Sequence, residues 1–193
     1  LDDMNAGTAR VYFVFAHPHR TRSRANAQVL ARVRDLPSVT TVDLYEAYPR
    51  FHLDVSREQA ALAAHEVICL QHPIYWYSMP PLLKLWIDEV FALGFAYGPG
   101  GTALAGKRLQ LSLTTGGGPD AYSAEGYHGR PLEDFLLPAV QTARLCKMTY
   151  LEPMVLHGAG KATDAEIEAH AERVRDRLLN LTNPLYRGEA VGG

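Results

Sequence analysis

Cysteine is scarce. The 193 residues hold two, Cys69 and Cys146, far apart in the chain. Neither a disulfide framework nor a cysteine-based metal site is indicated, and a reducing compartment fits. Cys69 lies in the apolar stretch Val67-Ile68-Cys69-Leu70 and reads as a buried thiol. An excess of one charge is also missing. With 19 Lys+Arg against 21 Asp+Glu, a backbone-wide attraction to nucleic acid is unsupported, although local basic patches stay open. No run approaches the ~18 apolar residues that span a bilayer. The polar start Leu1-Asp2-Asp3-Met4-Asn5 has neither the basic region nor the apolar core of a signal peptide. Leu1 to Asp3 read as residues ahead of a natural start at Met4, and a cytoplasmic protein is expected. Metal-dependent hydrolysis has no support, because H-E-x-x-H and clustered carboxylates are lacking. His65 and His72 lie too far apart to suggest a metal, and no metal site is expected. GxGxxG and GxxxxGK[ST] are absent too, so neither a dinucleotide fingerprint nor a P-loop is present.

What is present is an ordinary globular composition, 47% hydrophobic and 21% charged, at a length that suits one domain. Apolar runs alternate with helical patterns. Val11 to Phe15 is nearly all apolar, as a central strand covered on both faces should be. A helix from Arg24 to Arg34 follows, and then a short strand from Val39 to Leu44. Tyr45 to Val55 reads as irregular. Ser56 with Gln59 reads as a capping box for the helix into His65. Val67 to Leu70 is the third strand, and Pro81 opens a helix to Phe91. Leu109 to Leu113 is the fourth strand. A helix over Phe135 to Met148 must accommodate Pro138. Met154 to Leu156 is the fifth strand, and Thr163 with Glu166 caps a last helix that ends near Leu181. This alternation predicts βαβ units and a mostly parallel sheet. His170 is expected on a solvated helix face, Asp88 and Glu89 in packing or dimer roles, and the tail from Tyr186 to Gly193 frayed.

Ligands in open parallel sheets sit beyond the carboxyl ends of the strands, where three loops carry the polar and glycine residues. In the first, Ala16 to Asn26, a helix N-terminus with Ser23 and Asn26 offers unpaired N–H groups to a phosphate, with His17 and arginines nearby. A solvated basic loop with Ser23 as a plain cap is the simpler alternative. In the second, His72 to Pro81, the run Tyr75-Trp76-Tyr77 between prolines provides a shelf for a planar ligand, or equally core packing or a subunit interface. In the third, Thr115-Gly116-Gly117-Gly118 allows close backbone approach, followed by Tyr122, Tyr127 and His128 as donors to a ring gaining negative charge. A glycine triplet alone is often only a turn.

At these residues the chain resembles the NAD(P)H dehydrogenase (quinone) family of flavodoxin-like proteins. Within it the nearest resemblance is to the ancillary quinone reductases of bacterial glutathione-regulated potassium efflux. The matching stretches are Ala16-His17-Pro18 with Ser23 and Ala25-Asn26, and Gln71-His72-Pro73 through Trp76-Tyr77. They continue through Pro80 to Asp88, Phe95 to Gly98, Gly101 to Leu104 with Gly106-Lys107, and Thr114 to Gly117. The resemblance implies an α/β, flavodoxin-like three-layer sandwich with a five-stranded parallel sheet in the order 2-1-3-4-5. It implies one domain over residues 9–182, with flexible termini at 1–8 and 183–193. It also implies a tightly bound flavin, FMN or alternatively FAD, and a homodimer. The activity implied is two-electron hydride transfer from NADPH or NADH, through flavin N5, to a quinone. The alternatives are a regulatory ancillary subunit of a potassium-efflux transporter, held at the inner membrane through that partner, and a reductase of nitro or azo compounds.

Carried over by residue, the resemblance gives His17, Ser23 and Asn26 to the flavin phosphate. It gives Pro73, Ile74, Tyr75, Trp76 and Tyr77 to the isoalloxazine, and Thr115, Gly116 and Gly117 to its polar edge. Tyr122 and His128 become the pair that stabilises reduced flavin, and Tyr97, Trp76 and His128 line the substrate pocket, Tyr97 from a partner subunit. The chain stops soon after the last helix, which favours FMN. Pro99 stands where larger relatives have a second pocket tyrosine.

Overall fold

The structure, a computed structural model, describes residues 8–183, 185, 186 and 188–191. Five parallel strand positions form one sheet in the order β2-β1-β3-β4-β5, with a further short strand, β6, beside β4. The strands are β1 (Val11–Phe15), β2 (Val39–Asp43), β3 (Val67–Pro73), β4 (Arg108–Thr114), β5 (Thr149–Tyr150) and β6 (Met154–Leu156). The helices are α1 (Arg24–Val33), α2 (Leu44–Ala47), α3 (Val55–Ala64), α4 (Pro81–Val90), α5 (Leu132–Leu145) and α6 (Asp164–Thr182). The strand order expected from the resemblance is the one observed.

Alternation along β1 divides the core. Tyr12 and Val14 face a cluster with Ile68, Leu70, Leu62 of α3, Leu82 and Trp86 of α4, and Leu136 of α5. Val11, Phe13 and Phe15 face the opposite cluster with Val67, Cys69, Val29 and Val33 of α1, and Val174 and Leu178 of α6. Side chains of a strand point alternately to the two faces, so a strand apolar at every position must be covered twice. Both cysteines are buried and free.

Several local expectations need correction. The N-cap of α3 is Asp54, whose carboxylate accepts from Arg57 N at 3.0 Å, not Ser56. A negative charge at the positive helix end outcompetes a hydroxyl two residues further in. The stretch expected to be irregular contains α2, capped by Asp43. Helix α5 starts at Leu132, earlier than expected, with Pro131 at its N-cap, Glu133 and Asp134 in its first turn, and Pro138 inside. His170 is fully buried, because Ile167, His170, Ala171, Val174 and Leu178 share the inward stripe of α6. The Thr163–Glu166 capping box of α6 is observed.

The fifth strand is split. β4 pairs Arg108 with Thr149 but Ser112 with Met154, so one extra residue bulges between the two pieces. Gln110 fills the break by donating from Nε2 to Glu152 O at 2.8 Å. The tail does not simply fray. Glu152 N donates to Glu189 O at 2.8 Å and Val191 N to Tyr150 O at 3.1 Å, covering an otherwise open sheet edge. Except for Thr8, the N-terminal stretch 1–8 lies outside the described residues.

Candidate functional site

The loop after β1 runs through a 3₁₀ turn, Arg20–Arg22, into α1. Ser23 caps that helix, accepting from Asn26 N at 3.1 Å and Asn26 Nδ2 at 3.0 Å. Asn26 is itself a buried hub. Its Nδ2 donates to Thr114 Oγ1 at 2.9 Å, and its Oδ1 accepts from Gln71 Nε2 at 2.7 Å. One side chain thereby fixes the start of α1 against the carboxyl ends of β3 and β4. Of the first helical N–H groups, Asn26 N and Ala27 N are taken by Ser23, while Arg24 N and Ala25 N have no partner among the described residues and are open to an anion. His17 is buried and held below its ordinary pKa by burial and by the neighbouring His19. His19 N donates to His17 Nδ1 at 3.0 Å, so the neutral ring carries its proton on Nε2.

These residues line a cavity of about 430 Å³, together with Arg22, Pro73, Ile74, Tyr75, Thr114 to Gly116, Ala159 and Gly160. Cofactor clefts usually fall between about 300 and 1,000 Å³. Arg24 also borders it, but its guanidinium is held by Ala162 O and Asp164.

After β3 the chain makes a two-residue hairpin. Tyr75 N donates to Ser78 O at 2.9 Å and Ser78 N to Tyr75 O at 3.0 Å. Both central residues have positive φ, 47° at Trp76 and 64° at Tyr77, where glycine or asparagine would ordinarily sit. Left-handed backbone costs an ordinary side chain about 1–2 kcal/mol. Two aromatics kept there point to a role for the tip itself. Trp76 is 93% exposed. Tyr77 leans against Phe135, with ring centroids 4.8 Å apart, and edge-on to His128 at 5.4 Å.

After β4, Thr115 N is anchored on Leu156 O at 3.0 Å, and the loop beyond β6 returns the bond from Ala159 N to Thr115 O at 2.9 Å. Tyr122 and His128 stack at 4.5 Å and 37°. Gly117 faces this pair so closely that a Cβ would lie 3.0 Å from His128 Nε2 and 3.3 Å from Tyr122 Cε2. His128 Nδ1 is buried with no partner among the described residues. Burial raises the Tyr122 pKa, against a smaller opposite effect of Thr115.

A family model described as having a flavodoxin-like fold matches residues 9–178. The chain belongs to this flavodoxin-like family. It is 41% identical over 181 residues to the glutathione-regulated potassium-efflux system ancillary protein KefG of Escherichia coli, covering 94% of this chain and 98% of that one. Among solved structures, the general stress protein 14 of Treponema denticola, in complex with FMN, aligns with a TM-score of 0.85 and 34% identity, covering 89% of this chain and 99% of that one. An NADPH-quinone reductase from P. pentosaceus aligns with a TM-score of 0.79 and 27% identity, covering 87% of this chain and 96% of that one.

In this flavodoxin-like frame the three loops named from sequence converge at one end of the sheet. His17, Ser23, Asn26, Pro73, Ile74, Tyr75, Thr115 and Gly116 line the cavity. Gly117, Tyr122, His128 and Tyr77 form an aromatic group beside it, joined through Thr115. Trp76 stands at the exposed tip. Tyr97 does not line the cavity within this chain; it is half-buried against the α3/α4/α5 core cluster. Among the described residues no three metal-ligating side chains gather. Sequence reasoning missed the fourth loop, after β6, which contributes Ala159 and Gly160 to the cavity and His157 to the aromatic group. Tyr122 and His157 lie 5.5 Å apart. The signal was available, since this loop also follows a parallel strand and reads His157-Gly158-Ala159-Gly160.

Proposed function

We propose that the chain is a flavin-dependent oxidoreductase that moves two electrons from NAD(P)H to a quinone. One observation carries this reading. A phosphate-ready helix start, the first residue of a strained aromatic hairpin and a glycine loop meet at the carboxyl ends of β1, β3 and β4 around one cavity of about 430 Å³, with Tyr77, Tyr122 and His128 grouped beside it.

The residues fit FMN. Arg24 N, Ala25 N and His17 Nε2 would hold the phosphate, with Arg22, which has no ion-pair partner among the described residues, adding charge. Tyr75 to Tyr77 would flank the ring, and at Gly116, which lines the cavity, a Cβ would meet nothing within 4 Å. His128 Nδ1, buried without a partner, is a group that awaits one. When bound, FMN supplies a ring able to accept and release hydride. Tyr122 and His128 would stabilise negative charge at the ring edge and give a proton to the quinone oxygen. FAD is the alternative cofactor. NADPH and NADH are the candidate electron donors.

The test is an anaerobic absorbance spectrum of the purified protein, before and after NADPH and then a benzoquinone. A flavin spectrum that bleaches and returns is expected; no flavin, even after incubation with FMN or FAD, overturns the reading. Replacing Tyr122 by Phe together with His128 by Asn should leave flavin bound and slow its reduction by about 100-fold. Unchanged rapid-reduction kinetics would remove both residues from that role. Turnover with nitro and azo compounds separates the reductase alternatives.

A second reading has its own support. The 41% identity to KefG spans 98% of that relative, which favours an ancillary role at a potassium-efflux transporter. No described helix is long and apolar enough to cross a membrane, so such an association would run through protein contact. Potassium flux through a purified transporter, with and without this chain, tests it. Exposed Trp76, Tyr127 and Leu93 support a homodimer in which Tyr97 reaches the partner's cleft; sedimentation velocity tests that.

A further inference from the structure

The loop after β6 joins the two ends of the candidate site. On one side it is fastened to the glycine loop. Gly158 N donates to Gly117 O at 2.8 Å and Ala159 N to Thr115 O at 2.9 Å. The Thr115 hydroxyl donates to Gly117 O at 2.8 Å, so its oxygen accepts from His157 Nδ1 at 3.1 Å. On the other side the loop meets the start of α1, where Ala25 packs with Leu156, Ala159, Ala162 and Ile167 in a small apolar cluster. Among the described residues, Arg24 alone hydrogen-bonds this side of the loop to α1. Its Nη1 donates to Ala162 O at 3.2 Å and its Nη2 to Asp164, the first residue of α6.

We propose that Arg24 is a positioning residue for the cofactor phosphate. It acts by tying the loop after β6 to the helix start, not by lending its own charge to the anion. The inference rests on the reading of the cavity as an FMN site. The two amides open to an anion belong to Arg24 itself and to Ala25, whose side chain is buried in the cluster that the tie closes. Ala159 and Gly160 of the tied loop line the same cavity. One guanidinium therefore fixes the helix start and the loop against each other at the phosphate end.

Two observations separate this role from a plain charge and from helix packing. The guanidinium is committed to a carbonyl and a carboxylate, and the carboxylate offsets much of the field it would send to a phosphate. Further along, α1 and α6 are joined without it. Gln28 Nε2 donates to Glu168, Arg32 pairs with Glu168 and Glu172, and Val29, Val33, Val174 and Leu178 share one core cluster. What Arg24 adds is local to the loop.

The test uses the full chain with FMN as the probe. Arg24→Ala should weaken FMN binding about 10-fold, and the loss should persist at about 0.5 M salt, where a through-space charge effect is screened. A loss that vanishes in salt overturns the proposal. Asp164→Ala gives opposite signs for the two roles. Deleting a carboxylate and freeing Arg24 would tighten FMN binding if Arg24 acted as a charge. For a positioning residue in an exposed ion pair, a loosening of about 2- to 5-fold is expected. Equal or tighter binding overturns the role of Arg24 alone. A third measurement needs no cofactor. Amide exchange on flavin-free Arg24→Ala should quicken at Ala159 and Ala162 while Val14 and Leu70 in the strands keep their rates. Unchanged loop rates overturn the tie, and faster strand exchange would make the effect global and overturn it too. A wild-type protein that takes up no flavin overturns the functional reading, and the phosphate role of Arg24 with it.

Discussion

Asn26 holds the first helix of the site in place by using both ends of its amide in a buried position. Removing it leaves Gln71 Nε2 and Thr114 Oγ1 to lose their partner without gaining water. An orphaned buried polar group costs about 1–3 kcal/mol. Asn26→Ala should therefore lower stability by about that amount and weaken FMN binding as α1 loses its anchor. Urea denaturation and a flavin titration would check both effects. Stability loss with unchanged flavin affinity would confine Asn26 to packing. At this scale the grouping was legible from residue type and loop position: Ser23, Asn26, Thr115 and Gly116, picked out in loops after successive strands, all line the cavity. His157 was not, because a lone histidine in a loop has meaning only once Thr115 and Tyr122 are seen beside it.

Among the elements, the hairpin after β3 holds strain at its tip and α3 holds a buried charge. Trp76→Asn puts the residue best suited to positive φ at a position whose side chain is 93% exposed. It should raise stability by about 1 kcal/mol and raise the KM for quinone. A melting curve with parallel kinetics checks this, and a lower melting temperature would mean the indole is packed. Glu58 is fully buried in α3. It accepts from Tyr12 and Tyr48 hydroxyls at 2.8 and 2.5 Å and from Trp86 Nε1 at 2.9 Å, joining β1, α3 and α4. Burial and the facing carboxylate push both tyrosine pKa values up. Glu58→Leu strands three buried donors and should cost about 3–5 kcal/mol, read from the urea midpoint; a loss below about 1 kcal/mol would show that the donors find other partners. Helix periodicity placed α3 but read its cap wrongly, because Asp54 and Ser56 are both good caps and only the backbone path distinguishes them.

For the molecule as a whole, two buried histidines link folding to pH. Burial pushes His72 down to about 4, against a weaker opposing effect of the Pro73 carbonyl. Burial pushes His170 to about 4 as well, with Arg173 adding to the shift. Both are neutral when folded but bind protons near pH 6.5 when unfolded. Stability is thus fully present above about pH 6.5 and falls as pH drops toward 4, by something on the order of 3 kcal/mol for each ring. Chemical denaturation from pH 7.5 to 4 checks this. His170→Asn should flatten the slope, and an unchanged slope would exclude that ring. Neither effect was visible in the chain, where His170 read as solvated.

The sequence by itself determined what repeats along the chain: the apolar strands, the helices between them, and glycine and polar loops after successive strands. These follow from local periodicity and turn chemistry. The tertiary structure decided what depends on partners far away in the chain. It folded the tail onto the edge strand, buried Glu58 and His170, and set His157 beside Thr115. Burial and hydrogen bonding between distant residues are properties of packing, and no single-residue preference encodes them.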